Sequence, residues 1–309
     1  MLHDIKNNDI EKFYEVCRLC PRACGARRTE GKTGACGMSS SLFVSRAALH
    51  MWEEPPISGE RGSGTVFFAG CPLSCVFCQN SEISHERHGK EISTARLAEI
   101  FLELQEKGAH NINLVTATHF VPHVTAALDA AKQSGLTIPI VYNCGGYESV
   151  ETLRMLRRYV DIYLPDFKYM SSELAARYSL CPDYPERAKE SLAEMVAQTG
   201  APVFDENGML LRGTVVRHLV LPGCAKDSIE VVKYLHETYG DKIYISIMSQ
   251  YTPSERLRAR FPELARKLTK YEYGKVVRFA AEIGVKNGFT QYGEAAAESF
   301  IPSFDFEGV

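Results

Sequence analysis

With 309 residues and 45% hydrophobic side chains, the chain is long enough for two ordinary domains or one α/β barrel, and has ample material for a large core. Its net charge of −3 supplies no global basic field of the kind that holds nucleic acid. No apolar run approaches membrane-spanning length and Met1 to Asn8 form no signal region, so the clustered, short-spaced cysteines among the ten read as metal ligands in a reducing cytoplasm rather than as disulfides.

The first cysteine group is Cys17, Cys20, Cys24 and Cys36, with glycines 25, 31, 34 and 37 at the returns. Four thiolates can close a tetrahedral zinc site or hold an auxiliary iron–sulfur cluster, and a small cap with few apolar residues would take most of its fold from that metal. A strand over 42–49 and a proline-stiffened linker from Trp52 to Gly59 follow, which places the end of this cap near residue 60.

The apolar run 65–70 then leads into Cys71, Cys75 and Cys78 at C-x3-C-x2-C spacing. Such spacing lets one loop wrap a cuboidal iron–sulfur cluster, and three thiolates leave one iron open to a small molecule. Zinc motifs more often come as C-x2-C pairs. Phe77, just before the third cysteine, would shield the cluster and face a flat ligand.

Beyond the loop, helices alternate with short apolar runs. Helix 94–107 carries Leu97, Ile100, Phe101 and Leu104 on one face. Strands are predicted at 111–117, 137–142, 160–165, 202–204, 213–220 and 242–248. Helices are predicted at 121–134, 147–158, 171–179, 184–199, 226–239, 254–268 and 271–284. The alternation predicts a parallel sheet covered by helices. The tail 288–309, with five large apolar side chains, is expected to pack back on the barrel.

In α/β barrels the chemistry sits where strands end. Those ends hold the three cysteines, then Thr116, Thr118 and His119, then Asn143, Cys144, Gly145 and Gly146. Asp166 and Lys168 come next, then Arg217 and His218, then Ser249, Gln250 and Tyr251. Singly, each has a plain structural explanation. His119 suits a core histidine and Asp166 a helix cap. Together they suit a zwitterionic ligand.

The loop from Cys71 to Asn80 resembles the cluster-binding loop of the radical S-adenosylmethionine (SAM) superfamily. It is most similar to the branch labelled pyruvate formate-lyase activating enzyme-like iron–sulfur protein. Asp166-Phe167-Lys168 resembles that branch's Asp-x-Lys signature, and Arg217 to Gly223 its strand-five segment. The resemblance covers most of residues 62–255 and implies an α/β fold, a partial (β/α)6 barrel. Residues 1–60 would form a four-cysteine metal-binding cap, 61–287 the barrel and 288–309 a packed tail.

It also implies a 4Fe–4S cluster on Cys71, Cys75 and Cys78, whose open iron SAM would chelate. Reductive cleavage would yield a 5′-deoxyadenosyl radical that abstracts hydrogen from a substrate. Phe77 and Asn80 would border the adenine, while Asn143 and Asp166 match residues that hold a cation beside the SAM carboxylate. Thr116, Thr118, His119, Lys168, Arg217 and Gln250 complete the expected SAM site. The family's Gly-Gly-Glu after strand two is replaced here by Thr116-Ala117-Thr118-His119, and the N-terminal quartet precedes the barrel. Expected partners are an electron donor such as flavodoxin or ferredoxin and a glycyl-radical-type protein. The rival readings are a radical SAM enzyme acting on a small metabolite, a non-catalytic iron–sulfur electron carrier, and a zinc-ribbon nucleic-acid binder. The last would use Arg18, Arg22, Arg27, Arg28 and Lys32.

Overall fold

A computed structural model of the chain describes residues 7–291 and 302–309. The first half of the chain runs α1 (Asn7–Glu15), β1 (Leu42–His50), α2 (Pro55–Ser58), β2 (Ser63–Phe68), α3 (Ser81–Ser84), β3 (Lys90–Ile92), α4 (Thr94–Glu106), β4 (Ile112–Val115), α5 (Val121–Gln133) and β5 (Ile140–Cys144). It continues with α6 (Val150–Leu156), β6 (Ile162–Pro165), α7 (Ser172–Ser179), α8 (Tyr184–Thr199), β7 (Val203–Phe204), β8 (Leu210–Leu219), α9 (Ala225–Tyr239), β9 (Tyr244–Met248), α10 (Lys270–Glu282) and β10 (Gly288–Thr290).

One sheet holds these strands in the order β10-β9-β8-β6-β5-β4-β2-β1-β3, with β7 beside β8. From β2 to β10 along this path the pairings are parallel, so the strand ends that follow the apolar runs all open on one side. Among the described residues β10 and β3 are edges, and the sheet does not close. The parallel sheet is the one expected from the alternation, and its open form is the partial barrel that the resemblance implied.

Local chemistry explains the elements. Ser93 accepts a hydrogen bond from the Arg96 amide and starts α4, whose Leu97, Ile100, Phe101 and Leu104 are buried against the sheet. Each such side chain contributes roughly 1.5–3 kcal/mol of transfer free energy.

The strand expected over 42–49 is present as β1 and pairs antiparallel with β2, its apolar residues Leu42, Val44 and Ala47 buried against the sheet's core. Two elements differ from expectation. The helix expected over 254–268 is replaced by two short 3-10 turns, Glu255–Leu257 and Pro262–Leu264. Pro253 and Pro262 bias the residues before them away from the helical region and lack the N–H a helix needs. Residues 288–290, expected to open the tail, extend the sheet instead, with Phe289 stacked on Tyr244 at 5.4 Å. Phe304 does pack back, against Phe67; Phe300 and Ile301 lie outside the described residues.

Candidate active site

The strand ends and the loop after β2 enclose a cavity of about 240 Å³. Cys71, Cys75, Cys78, Phe77, Asn80, Thr116, Asn143, Asp166, Lys168, Arg217 and Gln250 all line it. Eleven residues drawn from six strand ends therefore meet in one place. Thr118 and His119 do not. Both are buried: Thr118 donates to Glu148 at 2.9 Å and the His119 ring bonds the Ala69 carbonyl at 2.7 Å. They lie in the 3-10 turn Thr118–Phe120, which turns their side chains into the core and away from the cavity. Tyr251 likewise donates to the Leu264 carbonyl, and His218 pairs with the Phe167 carbonyl at 2.7 Å.

The three thiols of the loop suit a cluster by the chemistry around them. Each sulfur already meets a group able to donate. The Leu73 amide points at Cys71 Sγ (3.4 Å), Ser179 Oγ at Cys75 Sγ (3.0 Å), and Ser84 Oγ lies 3.2 Å from Cys78 Sγ. Burial, then the neighbouring thiols, pushes Cys71 and Cys78 upward, with Lys168 working in the opposite direction. Thiols so placed are unfavourable as bare anions and ionise readily once metal takes up their charge. Among the described residues no three Cys, His, Asp or Glu side chains form a ready-made site for one metal ion. Ligands to different irons of a cube stand further apart than ligands to one ion.

Lys168 Nζ lies 2.5 Å from Asp166 Oδ2. Burial alone would lower its pKa, but the charges of Asp166 and Cys75 and the hydrogen bond to Asp166 hold it above the ordinary value, so it is a fixed cation facing the thiols. Thr116, a β-branched residue, is held at φ +60° where β4 ends, a strained conformation of the kind that marks functional turns. The loop itself is braced from α7, since the Val76 amide donates to the Tyr178 carbonyl at 2.9 Å.

Sequence reasoning missed the cavity floor. Arg217 is gripped by Glu53 and Glu54, which reach it from the connection between β1 and β2. Burial alone would raise the Glu54 carboxyl, yet the Arg217 charge holds it below its ordinary value. Asn113 donates to Glu53 at 2.7 Å and Asn143 at 3.5 Å. The available signal was a Glu-Glu pair set in an otherwise stiff linker, opposite an arginine inside an apolar strand.

Of the first cysteine group, Cys17, Cys20 and Cys36 are buried and Cys24 is exposed. Burial pushes Cys20 up to about 12 against an opposing backbone hydrogen bond, with Cys36 and Cys17 among the raising charges. Burial also lifts Cys36, against the opposing Arg28 charge and with help from Cys17 and Cys24. Cys17, Cys20 and Cys36 thus sit within electrostatic reach of one another, and Cys24 within reach of Cys36. Of the basic residues among them, two are tied into the fold: Arg28 is buried and Arg22 donates to the Pro72 and Leu180 carbonyls. Arg18 is exposed, and Arg27 and Lys32 make exposed pairs with Glu30.

The Radical SAM superfamily pattern matches residues 65–256, more than half of the chain, and the chain belongs to that superfamily. An uncharacterized protein of Methanocaldococcus jannaschii is 28% identical over 286 residues, 90% of this chain and 78% of its own length. Among solved structures, Streptococcus suis SuiB bound to S-adenosylmethionine is 13% identical, covering 76% of this chain and 51% of its own, with a TM-score of 0.49. Methylornithine synthase PylB is 12% identical, covering 99% of this chain and 87% of its own, with a TM-score of 0.45. The chain thus spans about half the length of the SuiB chain it matches. No helix among the described residues is long and apolar enough to cross a membrane.

Proposed function

We propose that this chain is a radical SAM enzyme that holds a 4Fe–4S cluster on Cys71, Cys75 and Cys78 and uses SAM to abstract hydrogen from a substrate. The observation that carries it is the meeting of these thiols with Asn143, Asp166, Lys168 and Gln250 around one cavity. When bound, the cluster supplies the electron that splits SAM into methionine and a 5′-deoxyadenosyl radical.

The chain's own part is to bind, orient and shield. Ser179, Ser84 and the Leu73 amide hold the sulfurs. The ammonium of Lys168 offers charge to a carboxylate, with Asp166 fixing its place. Phe77, edge-on to Tyr169 at 6.5 Å, walls off the loop from water. The activating-enzyme likeness, and with it a glycine of a partner protein as substrate, rests on Cys78-Gln79-Asn80, Asp166-Phe167-Lys168 and the segment Arg217 to Gly223. Cys17, Cys20, Cys24 and Cys36 form a second metal centre.

The test is anaerobic incubation of reconstituted protein with SAM and a strong reductant. The parent is expected to release 5′-deoxyadenosine, and Cys75→Ala is expected to release none above background. A Cys75→Ala variant that cleaves SAM at the parental rate would sink the reading.

A further inference from the structure

Arg28 is about as buried as any side chain in the protein, with 1% of its surface exposed. Its Nε and Nη2 donate to the Ser39 carbonyl (3.0 and 2.6 Å), and Nη1 donates to the His119 carbonyl at 2.8 Å. The guanidinium is sandwiched over the Tyr14 ring (4.3 Å) and the Phe120 ring (5.5 Å). Its remaining hydrogen-bond partner is Cys17 Sγ, 3.7 Å from Nη1. None of these bonds reaches a carboxylate. A buried arginine without an acid is costly, because carbonyl dipoles and ring faces do not make up for the lost hydration of a full charge. Elsewhere this protein follows the ordinary rule, since the buried Arg217 has two glutamates.

We infer that the partner of Arg28 is an anionic tetrathiolate metal centre on Cys17, Cys20, Cys24 and Cys36, and that Arg28 is its internal counter-charge. The inference rests on the second centre proposed above and names the residue that offsets its charge. Four thiolates around an oxidised 4Fe–4S core leave two net negative charges; one zinc ion would leave the same charge, but no three of these thiols already stand as a site for a single ion. That shared charge is what a guanidinium beside Cys17 would balance, and its N–H would donate to a ligand sulfur. Partners that hydrogen-bond to metal ligands in this way commonly change metal affinity by about 10–100-fold.

The centre is also set against the loop of the first. A Cβ built on Gly70, at φ +81°, would lie 2.7 Å from the Cys36 carbonyl oxygen, so the two cysteine segments touch through backbone. Arg22, between Cys20 and Cys24, donates to the Pro72 carbonyl beside Cys71 at 3.0 Å.

The experiment uses the full chain carrying Cys71→Ser, Cys75→Ser and Cys78→Ser, which isolates the second centre and is indifferent to whether the parent cleaves SAM. This background is titrated anaerobically with zinc in one arm and with iron and sulfide in the other. It is expected to hold one zinc, or a cluster with its visible absorption, and the arm that saturates identifies the core. Adding Arg28→Met keeps the stem between the rings and removes the charge. Affinity is expected to fall about 10–100-fold, or the cluster's reduction potential to move negative, and Arg28→Lys is expected to restore part of either. A background that binds no metal in either arm overturns the proposal. So does Arg28→Met that binds as tightly as the background with an unmoved potential. If Arg28→Met does not fold, Arg28→Lys decides alone, supporting the proposal by binding metal and ending it by folding without doing so or by failing to fold with metal in excess.

Discussion

At the scale of single residues, the region behind the cavity is governed by Glu148. It is buried, accepts from Thr118 at 2.9 Å and Tyr142 at 3.0 Å, and has no cationic partner in those contacts. Burial raises its carboxyl from an ordinary 4.5 to about 7, and the donated hydrogen bonds only partly oppose this. Folded protein therefore keeps a proton that unfolded protein releases between those values. Stability falls as pH rises through that window, by about 3 kcal/mol for this group. Glu148→Gln is expected to flatten the dependence. Urea unfolding at pH 5 and pH 8 checks it, and parallel loss in parent and variant would show that the carboxyl is ionised throughout.

At the scale of elements, the decisive contact lies where the β2 strand gives way to the cluster loop. Gly70 occupies left-handed backbone, and an added Cβ would meet Met38 Cγ at 2.4 Å as well as the Cys36 carbonyl. Gly70→Ala must therefore push the loop and the N-terminal segment apart. The expected result is a loss of stability of at least about 1–3 kcal/mol together with reduced iron after reconstitution. Full iron loading at parental stability would show that the contact is not needed.

The same junction explains what could be read from the sequence. That Cys71, Cys75 and Cys78 share one loop at the cavity was legible because all three lie within one short stretch of sequence. The βα alternation was legible because each run carries its own period. Glu53 and Glu54 were not, because their significance comes from Arg217, 164 and 163 residues further along the chain respectively. Thr118 and His119 shared the strand-end address of Thr116, and only a single 3-10 turn redirected them. Periodicity does not report such a turn.

At the scale of the whole molecule, the ion triad joins the β1–β2 connection to β8 and forms the underside of the cavity. Removing the arginine would leave two buried carboxylates facing each other. Arg217→Met is expected to cost about 3–5 kcal/mol, and to cost less when Glu53→Gln and Glu54→Gln are added. Chemical unfolding of the single and triple variants measures this; a single variant as stable as the parent would mean the carboxylates find other donors.

The supports of the N-terminal cysteine segment also impose an order in time. Leu19 accepts from Thr152, Arg28 donates to His119, and Arg22 donates to Leu180. During synthesis both cysteine groups leave the ribosome before any of these partners exists. The last arrives about a hundred residues after Cys78, a delay of roughly 5–20 s at ordinary elongation rates. For that interval seven thiols emerge without their scaffold, open to oxidants and to whichever metal is commonest. On the reading proposed above, metal loading therefore belongs to the finished chain, with the nascent one kept reduced until then.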